Sequence, residues 1–225
     1  MNGFDEDRSA PVDLATDRAA ALALFPVSAA TEARLSIYAD LLVKWQKTIN
    51  LVSSTTLPNL WTRHFADSLQ VQAAAPQAKT WVDLGSGGGF PGLVTAISLA
   101  DIPNARVHLI ESDQRKCAFL REVSRETGAK ASVHAGRIED VAPQLTDKID
   151  AVSARALAPL PQLVAYAAPF LEKGALGLFL KGQHVEGELT DSSITSRYNV
   201  SMQKSRTSKA SWLLIVKDKV ASASR

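Results

Sequence analysis

The residues best suited to chemistry lie in one short stretch, Val82 to Ile97, which reads VDLGSGGGFPGLVTAI. Glycine weakens regular structure, so five of them here mark a backbone path that side chains would block. The stretch joins one apolar run to another, as a ligand cradle between a strand and a helix does. A triphosphate loop needs Gly-x-x-x-x-Gly-Lys-Ser/Thr. Gly87 and Gly92 have that spacing, but Leu93 and Val94 follow, so the phosphate-binding lysine is missing. The dinucleotide fingerprint Gly-x-Gly-x-x-Gly is present in letters as Gly87, Gly89 and Gly92. Asp83 stands just ahead of it, where a fixed carboxylate would repel a pyrophosphate. The same carboxylate suits a ligand with a cationic head and no phosphate. Glu111, closing the next apolar run, can accept both hydroxyls of a ribose.

Other chemistries find less support. His64, His108, His134 and His184 are scattered and show no metal-ligand spacing, so no metal is expected. His64, Asp67 and Ser68 share one helical stretch, and no Gly-x-Ser-x-Gly elbow accompanies them; packing and helix capping are their expected jobs. Cys117 lies within RKCAFLREV and reads as a small buried apolar residue, not a nucleophile.

The elements that must hold these residues are legible from periodicity. Residues 1–20 are polar and terminal and are expected to form a flexible tail. Leu35, Tyr38, Leu41, Leu42, Trp45 and Ile49 recur at helical steps, with Ser28 as N-cap. A second helix is expected from Pro58 through the apolar residues Leu60, Trp61, Phe65 and Leu69. Residues 21–78 therefore form a small helical segment. From residue 79 to 220, strands alternate with helices: TWVDLG, RVHLIES, ASVHAG, IDAVSAR and ALGLFLKG are strands. Helices are expected after the glycine loop, from Asp113 to about Gly128, from Pro159 to Leu171, and more weakly after the fifth strand. Such alternation builds a mostly parallel α/β sheet with helices on both faces. The end, NVSMQKSRTSKASWLLIVKDK, has too short a connection for a crossover and is expected to add an antiparallel hairpin, making seven strands.

Composition bounds the rest. The chain has 225 residues, 46% of them hydrophobic and 21% charged, with a net charge of +2, as expected of one soluble globular unit. No apolar run is long enough to span a bilayer, and the acidic N-terminus lacks an apolar signal core, so a cytoplasmic protein without a membrane partner is expected. Arg106, Arg115, Lys116, Arg121, Arg125 and Lys130 give one region a basic bias, which either a solvated helix face or a nucleic acid explains.

Asp83-x-Gly85-x-Gly87-x-Gly89 resembles the cofactor loop of class I methyltransferases, whose S-adenosylmethionine carries an ammonium, a sulfonium and no phosphate. The wider set is more specific: INLVSSTT, RHFADSL, VDLGSGGGFPGLVTAI, LIESDQRKCAFLREV, GRIED, SARALAPL and LKG, in that order. It is similar to the RsmG family, also called GidB, over roughly Leu35 to Lys217. The resemblance implies a Rossmann-like fold and S-adenosyl-L-methionine-dependent methylation of a guanine N7 in bacterial 16S ribosomal RNA. It implies as partner the RNA, the small ribosomal subunit or its assembly intermediate. It also implies that Gly85 and Phe90 line the cofactor site, that Ile138 and Glu139 meet the adenine, and that Arg155 lies beside cofactor and substrate, with Arg137 near the site. One departure is Ser211, where the family often has arginine; Arg206 or Lys209 stands just upstream. Another RNA or a small molecule as methyl acceptor, a dinucleotide-dependent oxidoreductase, and a cofactor-binding protein without turnover are the alternatives.

Overall fold

Seven strands form one sheet in the order β3-β2-β1-β4-β5-β7-β6. They are β1 (Thr80–Leu84), β2 (Arg106–Glu111), β3 (Ala131–Ala135), β4 (Ala151–Arg155), β5 (Leu176–Lys181), β6 (Tyr198–Lys204) and β7 (Trp212–Asp218). The first five are parallel, and β7 enters antiparallel between β5 and the edge strand β6. The computed structural model describes residues 14–183, 185–189 and 192–223. His184 and the first thirteen residues, which belong to the expected tail, lie outside them.

The helices are α1 (Leu14–Leu24), α2 (Ala29–Gln46), α3 (Asp67–Ala73), α4 (Gly92–Ser98), α5 (Gln114–Thr127), α6 (Ile138–Val141) and α7 (Leu160–Leu171), with short turns beyond. Local chemistry explains several ends. Ser28 caps α2 by accepting from the Thr31 N–H, and Asp113 caps α5 by accepting from Arg115 and Lys116. Gly128 closes α5 at φ +65°.

Two sequence expectations change. Residues 14–20 belong to α1, not to a tail. Asp17 accepts from the Trp61 and Thr62 N–H groups at 2.7 and 3.3 Å, Arg18 Nε meets Glu32 at 2.9 Å, and Ala21 is buried. These partners tie a segment near the chain's start to the turns and helix that follow it. The helix expected from Pro58 instead starts as a 3-10 turn, Ser54–Asn59, and passes through a π-helical turn, Trp61–Ala66, before α3.

Strand alternation sends Trp81, Val107 and Leu109 to one face of the sheet and Val82, Ile110 and Val152 to the other. The first face is covered by α4, α5 and the N-terminal helices together. Tyr38, Leu42 and Phe65 share a cluster with Phe90, Leu93 and Phe119, so the helical segment has no separate core. The second face is covered by α6 and α7. No helix among the described residues is long and apolar enough to cross a membrane.

Candidate active site

At the carboxyl ends of β1, β2, β4 and β5 lies a cavity of about 700 Å³, where ligands of open α/β sheets bind. Gly85, Gly87, Phe90 and Glu111 line it, as do Arg137, Ile138, Glu139 and Arg155. Folding thus brings together every site residue read from the sequence except Asp83.

Asp83 is fully buried beneath the loop. Its position in β1 turns the side chain toward α4, and a Cβ on Gly92 would come within 2.6 Å of it. Oδ1 accepts from the Ser153 hydroxyl at 2.7 Å, while Oδ2 has no partner among the described residues. Burial lifts its pKa to about 6, against the pull of the Ser153 and Ser86 hydroxyls. Its observed place is under the loop, where it does not line the cavity. The glycines divide in the same way. Gly85 and Gly87, at φ +64° and +56°, form the cavity floor, whereas Gly92 is small because Asp83 and Leu109 press on it.

Glu111 holds the loop in shape. Oε2 accepts from the Gly87 N–H and Oε1 from the Asp113 N–H, both at 2.8 Å. Each carboxylate oxygen keeps a lone pair, enough for two ribose hydroxyls. A glycine floor and a carboxylate that keeps acceptor capacity fit a nucleoside ligand such as S-adenosylmethionine. Cys117 lies behind this wall with its thiol donating to the Glu111 carbonyl at 3.2 Å; it is buried and does not line the cavity.

The opposite wall comes from the N-terminal helices. Tyr38 donates its hydroxyl to the Gly88 carbonyl and stacks on Phe90 with ring centroids 5.3 Å apart. His64 lies against the same Phe90 ring at 4.9 Å. Arg155 reaches across from β4, with its guanidinium 5.0 Å from the Phe90 centroid, Nη1 donating to the Arg63 carbonyl at 3.2 Å and Nη2 donating to His64 Nδ1 at 2.6 Å. Arginine has only donors, so Nδ1 must be the acceptor, and His64 Nε2–H donates to the Thr56 hydroxyl at 2.8 Å. Burial and the neighbouring Arg155 and Arg63 depress the His64 pKa to about 3, which keeps the ring neutral. Just past Arg155, Ala156 takes φ +50°, a region that costs a residue with a Cβ energy and often marks functional sites.

His64 and Asp67 are the residues whose part sequence reasoning missed. Both are buried and both line the cavity, so packing describes only half of what they do. The available signal was two ionisable groups on an otherwise apolar helical face. Toward the C-terminus, Ser211 lines the cavity, whereas Arg206 turns away and its guanidinium stacks 4.5 Å from the Phe25 centroid. Arg63, Arg155 and Lys181 line the cavity as well.

Solved structures share this fold. The O-methyltransferase TomG from Streptomyces achromogenes, in complex with SAM, superposes with a TM-score of 0.59 at 17% identity, covering 90% of this chain and 96% of that one. The O-methyltransferase from Bacillus cereus, in complex with SAH, gives 0.59 at 16% identity, covering 91% and 97%. The fold is that of class I methyltransferases. Sequence narrows the class: the family model for GidB, rRNA small subunit methyltransferase G, matches residues 31–211, and the chain belongs to that family. A relative from Nitrobacter winogradskyi named ribosomal RNA small subunit methyltransferase G is 62% identical over 177 residues, which is 79% of this chain and 64% of that protein. The chain thus spans just under two thirds of that relative. A relative of the same name from Bradyrhizobium sp. ORS 278 is 52% identical over 91% of this chain and 92% of its own length.

Proposed function

We propose that this chain is an S-adenosylmethionine-dependent methyltransferase of bacterial small-subunit ribosomal RNA and that its target atom is N7 of a guanine. The observation that carries the reading is the state of His64. Both ring nitrogens are engaged, one by Arg155 and one by Thr56, so the histidine of the cavity wall is not free to take a proton. Cys117 lies outside the cavity and offers no covalent route. An acceptor that needs no deprotonation by this histidine matches such a wall, and guanine N7 attacks with a lone pair it already has. When bound, S-adenosylmethionine supplies a methyl group on a positively charged sulfur.

The residues of the chain then bind and orient. Glu111 receives the ribose hydroxyls, Phe90, Ile138 and Glu139 hold the adenosine end, and Gly85 and Gly87 let the ligand lie close to the backbone. Asp83 supports the loop from below. Arg155, fixed by His64 and Phe90, sits between the two sides and aligns acceptor and donor; alignment in a dry site supplies much of the rate in such transfers. Arg137 and Lys116 add positive charge for RNA phosphates at the rim. In this reading residues 79–220 carry the cofactor and residues 21–78 shape the acceptor side. The substrate is the small subunit or its assembly intermediate, which implies a cytoplasmic protein.

Two measurements test it. Equilibrium titration should show binding of S-adenosylmethionine and none of NADH; the reverse result overturns the cofactor assignment. Incubation with labelled S-adenosylmethionine and under-methylated 30S particles should label the 16S RNA, and an unlabelled RNA contradicts the reading.

A further inference from the structure

Asp67 has no task in the transfer described above, yet it stands in the cavity wall. The residue is 5% exposed and lines the cavity at the start of α3. Oδ1 accepts from the Thr207 hydroxyl and, at 3.3 Å, from the Ser205 hydroxyl. Oδ2 accepts no hydrogen bond from the described residues, and it is not one of their sealed polar atoms, which are Gln70 Nε2 and Asp83 Oδ2. Arg63, Arg155 and Lys181 line the same cavity.

A carboxylate is out of place where RNA must enter, because it repels every phosphate. The part of a nucleotide it attracts is a base edge bearing N–H donors. Guanine is the base that sets two such donors side by side, N1–H and N2–H, and its N7 lies on the far edge. A carboxylate holding N1–H and N2–H therefore leaves N7 free to react. We propose that Asp67 reads the target base, accepting guanine N1–H and N2–H with Oδ2 as the principal acceptor. Ser205 and Thr207 hold the carboxylate in its orientation, and the Arg206 N–H donating to Gln70 at 2.8 Å fixes the loop that carries them. This proposal rests on the guanine reading above. The rival account makes Asp67 only an anchor for the β6–β7 loop.

Inosine tests it, since it lacks only the N2 amine of guanosine. Reconstituted 30S particles with inosine at the target position should be used roughly ten- to a hundredfold less well in kcat/KM by the unaltered protein, as expected for one lost bond to a charged acceptor. Asp67→Asn should bring the guanosine-to-inosine ratio toward one. Thr207→Val, which removes one of the two hydroxyls on Oδ1 but leaves the Ser205 bond and Oδ2 in place, should retain most of the unaltered ratio. Equal use of both particles by the unaltered protein overturns the proposal without any variant. A ratio unchanged in Asp67→Asn overturns it too, and a ratio that collapses equally in Thr207→Val assigns the effect to the anchor. Mapping the methyl separates the two levels. Transfer to N7 with equal use of inosine removes this proposal alone, and transfer to another atom removes the guanine-N7 reading as well.

Discussion

The two sides of the cavity are built by different means. The wall proposed to hold the cofactor is made of strand ends and the loops that follow them, each a contiguous motif: Gly85 to Phe90 after β1, Glu111 at the end of β2, Arg137 to Glu139 after β3. The wall proposed to take the acceptor is assembled from separated segments, with Thr56, Arg63 and His64 from the N-terminal turns, Asp67 from the start of α3, Arg155 from β4 and Ser211 from just before β7. Hydrogen bonds between distant residues hold that side together; Arg155 and His64 are 91 positions apart, and Thr207 and Asp67 are 140 apart. A shared cofactor can be met by a repeated local motif, whereas a particular acceptor needs a surface special to the family. The contrast predicts that damage to one side is read in cofactor affinity and damage to the other in turnover.

The largest effect is expected at the seam. Arg155→Ala should lower kcat on the order of a hundredfold, the usual scale for removing a fixed donor from a transfer site, with cofactor affinity changed far less. Labelled methyl transfer and calorimetric titration of the same preparation check the split, and normal turnover removes Arg155 from the site. On the cofactor side, Glu111→Ala should weaken S-adenosylmethionine binding by about 1–3 kcal/mol, through lost ribose bonds and a freed Gly87 N–H. Unaltered affinity in titration would contradict the placement of the ribose.

His64 gives a pH test of the acceptor side. Its folded pKa, about 3, lies below the ordinary 6.5, so only the unfolded chain takes up a proton between these values. The stability it confers is complete above about pH 6.5 and is lost as pH falls, by about 2 kcal/mol at pH 5. Denaturant unfolding at pH 7.5 and 5 should show this loss in the unaltered protein and less of it in His64→Gln. The smallest effect is expected from Tyr38→Phe, which removes the hydroxyl bond to Gly88 but keeps the ring stack. A loss of about 1 kcal/mol in thermal unfolding is expected, with Arg155-dependent turnover retained.

The same contrast explains what was legible in the sequence. The mostly parallel sheet, the closing hairpin and Ser28 as a cap follow from periodicity, and the glycine loop with Glu111 from contiguous motifs, whereas Phe90, Arg137, Ile138 and Glu139 were legible only through the resemblance. Asp83 was legible as a carboxylate at the right point in the chain, but not its depth. That depth depends on which sheet face α4 covers, a tertiary fact. Helix α1 was hidden because its order comes from Asp17 and Arg18 reaching partners far along the chain. The π-turn at Trp61–Ala66 leaves no mark in composition, so His64 and Asp67 read as polar residues on an apolar face. Ser211, where the resemblance leads one to look for arginine, lines the cavity. Arg63 lines the same cavity, brought there only by folding.

The most direct test of the whole account is the identity of the modified nucleotide. Under-methylated 30S particles treated with this protein and labelled S-adenosylmethionine should yield 7-methylguanosine as the labelled nucleoside on digestion of the 16S RNA. Label recovered in any other nucleoside, or on another atom of guanosine, would contradict it.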